Sequence, residues 1–333
     1  MNNKTIAMLV SIMAAGATQA QAQADCGDVT IASMNWKSAE VSAELDKYIL
    51  AEGYGCDAAV VVGDTVPTII SMAEKGQPDI APEAWVDMLP EVVKNEINKG
   101  TLVKAAPILA DRGENGWWIP KYLADAHPEI KTIRDVLKHP ELFPNPENPK
   151  QGAVFNGAQG WAGTVATSQL FKAYKGEEAG FKLIDTGSAA GLDGSLINAY
   201  ERKAGWVGFY WAPSALLGKY QMVKLDHGAP FDKNNWDNCI TVSTCPNPKP
   251  TSWAVDHVYT LVSKRFADRS DAGVMSYLNK RSWNNVTISE LMAWMTDNQA
   301  SGEEGARYFL KNNEALWTQW VSPEAAQKIK KSL

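Results

Sequence analysis

The residues best equipped for chemistry in this chain are tryptophans placed where strands give way to helices. The stretch Asn156-Gly157-Ala158-Gln159-Gly160-Trp161-Ala162-Gly163-Thr164 sets one large aromatic among small residues. Residues 153–155 read as a strand end and residues 165–174 repeat apolar side chains at helical spacing, so Trp161 to Thr164 fall at a helix N-terminus. Free N–H groups and the helix dipole favour negative charge there, while the indole face favours a cation. A zwitterion or dipolar solute satisfies both. The placement recurs at Trp36 after residues 29–34, at Trp85 after Ile80-Ala81-Pro82-Glu83-Ala84, at Trp117 and Trp118 after residues 111–115, and at Trp211 after Gly208-Phe209-Tyr210. Carboxyl ends of parallel strands line the crevice of an open sheet. Several rings therefore converge on one place, and a ring of aromatic faces is a means of holding quaternary ammonium groups. Trp117 and Trp118 point to opposite faces of an extended segment, so only one, taken as Trp117, faces the ligand. Trp236, Trp253, Trp283, Trp294, Trp317 and Trp320 read as packing or surface residues.

Glu114, just before Asn115-Gly116-Trp117, would attract a cationic head group and, if buried and protonated, donate to an N-oxide oxygen. Tryptophans also stack on sugars, and Glu83, Asp87 and Glu114 could supply the opposed carboxylates of a glycosidase, so a secreted carbohydrate binder or hydrolase is the competing class. A pocket closed on all sides leaves no room for a polymer. GxSxG, HExxH, P-loop and GxGxxG motifs are absent, and His127, His139, His227 and His257 have no metal-ligand spacing. A binding protein, not an enzyme, is expected, with no cofactor required.

The elements that must position these rings begin with a removable leader. Lys4 precedes an apolar run over residues 5–16, and Ala20-Gln21-Ala22-Gln23-Ala24 offers two overlapping cleavage sites, so residues 1–24 read as a signal peptide cut after Ala22 or Ala24. The formal charge of -6 becomes -7 once Lys4 is removed. An acidic exported chain argues against nucleic acid as a partner. Four cysteines suit an oxidising compartment and allow three pairings. Cys26 and Cys56 each precede a strand-like run, so neighbouring parallel strands would bring them together, and Cys239 with Cys245 closes a short loop.

With 333 residues, two domains are expected rather than one. Strand and helix signals alternate, which predicts an α/β fold with parallel sheets. Residues 29–34 and 58–62 read as strands, 38–52 and 66–75 as helices, Ile80 as the end of a short strand, and 85–98 as a helix. Residues 102–109 and 116–119 are extended, and 111–115 look like a crossing or hinge. A second α/β unit covers residues 133–211, an irregular polar segment covers 226–250, 258–262 is a return strand, and 268–332 is helical. The resulting division is 25–112 for the first part of lobe 1, 113–252 for lobe 2, and 253–333 for the return to lobe 1 with a helical C-terminal segment. The ligand belongs in the cleft between lobes, which close by hinge motion.

The segments PEAW around Trp85, FNGAQGWAG around Trp161 and GFYWAP around Trp211 resemble, in order and spacing, the substrate-binding proteins of ABC importers for glycine betaine, choline and trimethylamine N-oxide. The resemblance covers the whole mature chain and implies a two-lobed periplasmic-binding-protein fold, a periplasmic location, ABC permease subunits as partners, and a monomer. It implies an aromatic cage of Trp85, Trp161 and Trp211, joined by Trp36 as in choline-type members, with the backbone N–H groups of Ala162 and Gly163 for a ligand carboxylate. It leans towards trimethylamine N-oxide as the methylated amine, with glycine betaine or choline as alternatives. Some relatives carry a calcium-type loop where this chain has Phe143-Pro144-Asn145-Pro146-Glu147-Asn148-Pro149, so Asn145 and Glu147 are candidate ligands for a structural Ca²⁺, against the alternative of a proline-braced loop.

Overall fold

A computed structural model of the chain describes residues 26–333. The leader assigned to residues 1–24 lies outside the described residues, and no helix among them is long and apolar enough to cross a membrane. Eleven strands follow in chain order: β1 (Asp28–Met34), β2 (Asp57–Gly63), β3 (Ile80–Trp85), β4 (Leu102–Pro107), β5 (Glu114–Pro120), β6 (Pro144–Asn145), β7 (Asn148–Asn156), β8 (Phe181–Asp185), β9 (Gly208–Ala212), β10 (Met222–Lys224) and β11 (Val258–Ser263). They form two sheets. One runs β2-β1-β3-β11-β4, the other β10-β5-β9-β7-β6 with β8 beside β7.

Both sheets are mixed, which corrects the expectation of parallel sheets. β1 is parallel to β2 and β3, but the return strand β11 lies antiparallel between β3 and β4. In the second sheet β7 is parallel to β8 and β9, while β5 is antiparallel to β9 and β10. The reason is topological: a chain that leaves one sheet and later re-enters it from the other lobe returns without a βαβ crossover to fix its direction. β3 corrects a second expectation, since it starts at Ile80 and runs to Trp85, and the helix follows only at Glu91–Lys99. Opposite β11, the two residues Pro82 and Glu83 stand against the single Thr260, a bulge that spares Pro82 from a ladder bond it has no N–H to make. Helices Thr65–Lys75 and Glu91–Lys99 end on Gly76 and Gly100 at φ 70° and 79°, the left-handed turn that glycine adopts without strain.

Disulfides join Cys26 to Cys56, at the entrances to the parallel pair β1 and β2, and Cys239 to Cys245. The C-terminal helices pack on the first sheet's side, where a charged group is completely enclosed. Arg281 Nη2 donates to Asp46 Oδ2 at 2.9 Å and to Thr260 Oγ1 at 2.8 Å, and the Tyr277 hydroxyl donates to Asp46. Arg281 and Asp46 are both 0% exposed. Burial pushes the Asp46 carboxyl up, against the pull of Arg281 and the Tyr277 bond. Removing the cation strands a buried acid. Arg281→Met is therefore expected to lose about 3–5 kcal/mol of unfolding free energy in urea titrations, and a loss below about 1 kcal/mol would show that the pair contributes little.

Candidate functional site

Where the lobes meet, a cavity of about 30 Å³ is walled mainly by aromatic rings. Trp36, Thr65, Trp85 and Met88 come from the first lobe, Trp161, Ala162, Gly163, Phe209 and Trp211 from the second, and Asn115 from β5 just beyond the crossing. Trp36 follows β1 and caps the helix Lys37–Tyr48, Trp85 ends β3, and Phe209 and Trp211 share one face of β9 by the two-residue period of a strand. Trp161 meets Trp36 edge-on at 5.5 Å and Trp211 edge-on at 5.4 Å. Each ring is thus held by the edge of another, the arrangement aromatic quadrupoles prefer.

The first-lobe rings hang on one acid. Glu83, 1% exposed, accepts at Oε1 from Trp36 Nε1 at 2.7 Å, Trp85 Nε1 at 3.1 Å and Ser38 Oγ at 3.1 Å. Burial raises the Glu83 carboxyl above its usual range, while these three donors and the charge of Arg281 oppose the rise. The bulge at Pro82 and Glu83 gives β3 the turn that presents this side chain.

The second-lobe wall contains a helix start. Trp161 is the N-cap of Ala162–Ala173, with no side-chain cap and no acidic residue in the first turn. The N–H groups of Ala162 and Gly163 open the helix at the cavity wall, where the dipole favours negative charge. Trp161 Nε1 donates across to Asn35 Oδ1, and Val66 N donates to Gly160 O at 3.1 Å, so both bonds join one lobe to the other. Gly160 has φ 92°, and an added Cβ would stand 2.8 Å from Asp64 Cβ. Only glycine permits that approach.

The two crossings are tied beside the cavity. Asp256, in the return crossing, accepts the Asn115 N–H at Oδ2 at 2.8 Å, and its backbone oxygen accepts the Gly113 N–H at 3.0 Å. Burial lifts the Asp256 carboxyl to about 7, opposed by its bonds to Asn115 and by Lys224, with Asp87 adding to the rise.

Of the residues singled out by sequence, Trp36, Trp85, Trp161, Ala162, Gly163 and Trp211 line this cavity. Glu114 does not: on β5 it points away from Asn115, its side chain is 54% exposed, and it pairs with Lys224 at 3.1 Å. Trp117 is also outside the lining, fully enclosed in the second lobe two residues beyond Asn115. The acids weighed for a glycosidase do not face one another across the site, because Glu83 is buried behind tryptophans, Asp87 pairs with His257 at 2.9 Å and Glu114 pairs with Lys224. Asn145 and Glu147 lie in the hairpin turn between β6 and β7. Asn145 Oδ1 accepts the Glu147 N–H at 2.9 Å, Glu147 is exposed and paired with Lys182, and no group of three or more His, Cys, Asp or Glu among the described residues could hold a metal ion. Sequence reasoning passed over Asn115, Phe209 and the positioning role of Glu83. The last two were within reach, since Phe209 and Glu83 each stand two residues before a tryptophan on the same strand face.

The model of the OpuAC family, described as the substrate binding domain of ABC-type glycine betaine transport systems, matches residues 27–312. Among solved structures, the chain is similar to the glycine/betaine/L-proline-binding protein ProX of Borrelia burgdorferi, at 18% identity and a TM-score of 0.69 over 91% of this chain and 99% of that one. It is similar to lactococcal OpuAC in its closed conformation with glycine betaine, at 19% identity and TM-score 0.66 over 89% and 100% of the chains. A choline-binding protein of an ABC transporter, in complex with choline, aligns at 16% identity and TM-score 0.68 over 92% and 98%. At these identities the likeness is one of fold: the two-lobed α/β architecture of periplasmic binding proteins.

The Asp256 carboxyl gives the crossings a pH signature. Its ordinary value is 3.8 and its folded value about 7, so between these the folded state holds a proton that the unfolded chain has lost. Stability from this group is greatest below about pH 4, falls as pH rises to about 7, and is level above that. Asp256→Asn lacks the slope. Between pH 4 and 8 the parent should lose on the order of 4 kcal/mol relative to this variant in denaturant titrations, and parallel pH profiles would refute the assignment.

Proposed function

The chain belongs to the OpuAC family of substrate-binding domains of ABC-type glycine betaine transport systems, and on that footing we propose that it captures a small methylated onium solute, trimethylamine N-oxide ahead of glycine betaine or choline, and delivers it to an importer's permease. The family is one of solute-binding proteins, not enzymes. Export, removal of the leader over residues 1–24, and action as a monomer in the periplasm belong to the same proposal.

One observation carries the reading: Trp36, Trp85, Trp161 and Trp211 enclose a small apolar cavity at the lobe junction, with a helix N-terminus in its wall. A methylated onium group spreads its charge over methyl surfaces and has no N–H to donate, so ring faces and shape must recognise it. The Ala162 and Gly163 N–H groups suit an N-oxide oxygen or a carboxylate. Glu83 adds a second effect, because an indole donating its N–H to a carboxylate gains electron density on its face. We favour trimethylamine N-oxide because four tryptophans crowd the cleft and it carries neither the carboxymethyl arm of glycine betaine nor the hydroxyethyl arm of choline.

Calorimetry against the three solutes tests both levels. Trp85→Ala, Trp161→Ala and Trp211→Ala should each weaken binding by roughly 2–4 kcal/mol, about 30-fold to nearly 1,000-fold. Trimethylamine N-oxide should bind the parent tightest. Tighter glycine betaine or choline would overturn the choice of ligand but not its class, and three folded alanine variants binding like the parent would overturn the class. Glu83→Leu, which touches no ligand, should weaken binding about 10-fold or more by freeing Trp36 and Trp85. Parent-like affinity in that variant would show that the rings hold themselves in place.

A further inference from the structure

Away from the aromatic cavity, a second set of contacts crosses between the lobes. Lys94, on the helix Glu91–Lys99 of the first lobe, donates to Asp237 Oδ1 of the second at 2.6 Å and to Asp87 O at 3.0 Å. Trp236 Nε1, beside Asp237, donates back to the same Asp87 O at 2.8 Å. Asp237 also accepts from Lys233, so its two oxygens are held by two lysines, one from each side. The pair is enclosed, with side-chain exposures of 20% for Lys94 and 6% for Asp237, and the lysines hold the Asp237 carboxyl below its usual range despite burial. These residues stand in the wall of a hollow of about 470 Å³ that Phe231 and Trp253 also line.

Each end of this contact is coupled to the aromatic cavity by rigid structure. On the first lobe, Lys94 is joined to Trp85 through the short turn Val86–Met88, whose Met88 lines the cavity. On the second, Asp237 lies in the turn Trp236–Ile240, which the Cys239–Cys245 disulfide closes onto the following loop. That loop is fastened to the helix that Trp161 caps: Gln169 Nε2 donates to the carbonyls of Val242 and Cys245, and Lys172 to that of Cys245 at 3.3 Å. The disulfide loop and the cavity helix therefore move as one body.

We infer that Lys94 and Asp237 form a closing latch, positioning residues that stabilise the closed lobes and so set affinity without touching the ligand. The inference rests on the capture function proposed above. A bond made only when the lobes meet adds its energy to every ligand alike, because it multiplies the closed population and ignores what is enclosed. Loss of the latch should weaken all ligands by one factor, whereas a change in a cavity wall shifts their ratios.

The test uses the mature chain with Lys94→Met, Asp237→Asn, the double variant and Lys94→Arg, with trimethylamine N-oxide and glycine betaine as probes. Each single variant should bind both probes about 10-fold more weakly with their ratio unchanged, the double variant should lose no more than the weaker single variant, and Lys94→Arg should recover most of the affinity. Spin labels on the two lobes should report a larger separation in Lys94→Met than in the parent, both measured with saturating trimethylamine N-oxide and without it. Unchanged affinities and unchanged distances would overturn the latch, as would additive losses in the double variant. If the parent bound neither probe, the functional reading would fall, and the label distances would still decide whether the latch holds the lobes.

Discussion

Two indole N–H groups from different elements converge on one carboxylate oxygen of Glu83, and the first-lobe half of the site depends on that meeting. Burying a carboxylate is costly unless donors replace its water. Three donors do so at Oε1, and the positive charge of Arg281 lies near enough to oppose the effect of burial. Arg281 is itself fixed by Asp46 and by Thr260, whose hydroxyl donates to the carbonyl of Pro82, the residue before Glu83. The line of bonds from Asp46 through Arg281, Thr260 and Pro82 ends at the bulge that carries Glu83. Stability of the first lobe and orientation of its tryptophans are therefore two consequences of one buried polar network.

The second lobe is organised differently. Its rings are held by stacking rather than by indole N–H bonds to an acid: Trp211 stacks on Tyr210 at 4.8 Å and on Phe209 at 5.9 Å, and Phe209 stacks in turn on Trp253 at 5.8 Å. Trp161 satisfies its N–H across the junction on Asn35. The first-lobe rings are thus complete within their own lobe, whereas Trp161 is complete only when the lobes meet. If the lobes close on ligand as proposed, rings fixed within one lobe and a ring completed across the junction make closure part of the recognition surface.

Much of this was legible in the sequence because the governing signals are local. Glycine-closed helices, alternating strand signals and aromatics at strand ends depend on near neighbours, and they located Trp36, Trp85, Trp161 and Trp211 in the lining. Direction and side were harder. β11 re-enters the first sheet antiparallel after the chain has built the other lobe, and no local pattern records that path. Glu114 and Asn115 are adjacent in sequence but opposite on β5, so the attractive carboxylate faces Lys224 and the amide faces the cavity. Glu83 read as a possible cleft carboxylate because, although Trp85 is two residues away on the same strand face, no local pattern shows that Trp36, 47 residues distant, shares its oxygen.

On the function proposed above, the same satisfaction of polar groups predicts what the cavity refuses. An ammonium carrying N–H groups must find acceptors when it leaves water, at a cost of several kcal/mol if it does not. Besides the indoles, Asn115 and Thr65 are the polar side chains in the lining; of the nearby Glu83 carboxylate, Oε1 already accepts three bonds behind the rings, and Oε2, which has no partner, is buried outside the cavity lining. A primary ammonium would trade water for aromatic faces and leave its donors unpaired. A fully methylated nitrogen has no such donors to lose, so the shortage of acceptors that penalises the first leaves the second unharmed. On that proposal, discrimination comes as much from missing acceptors as from the rings present.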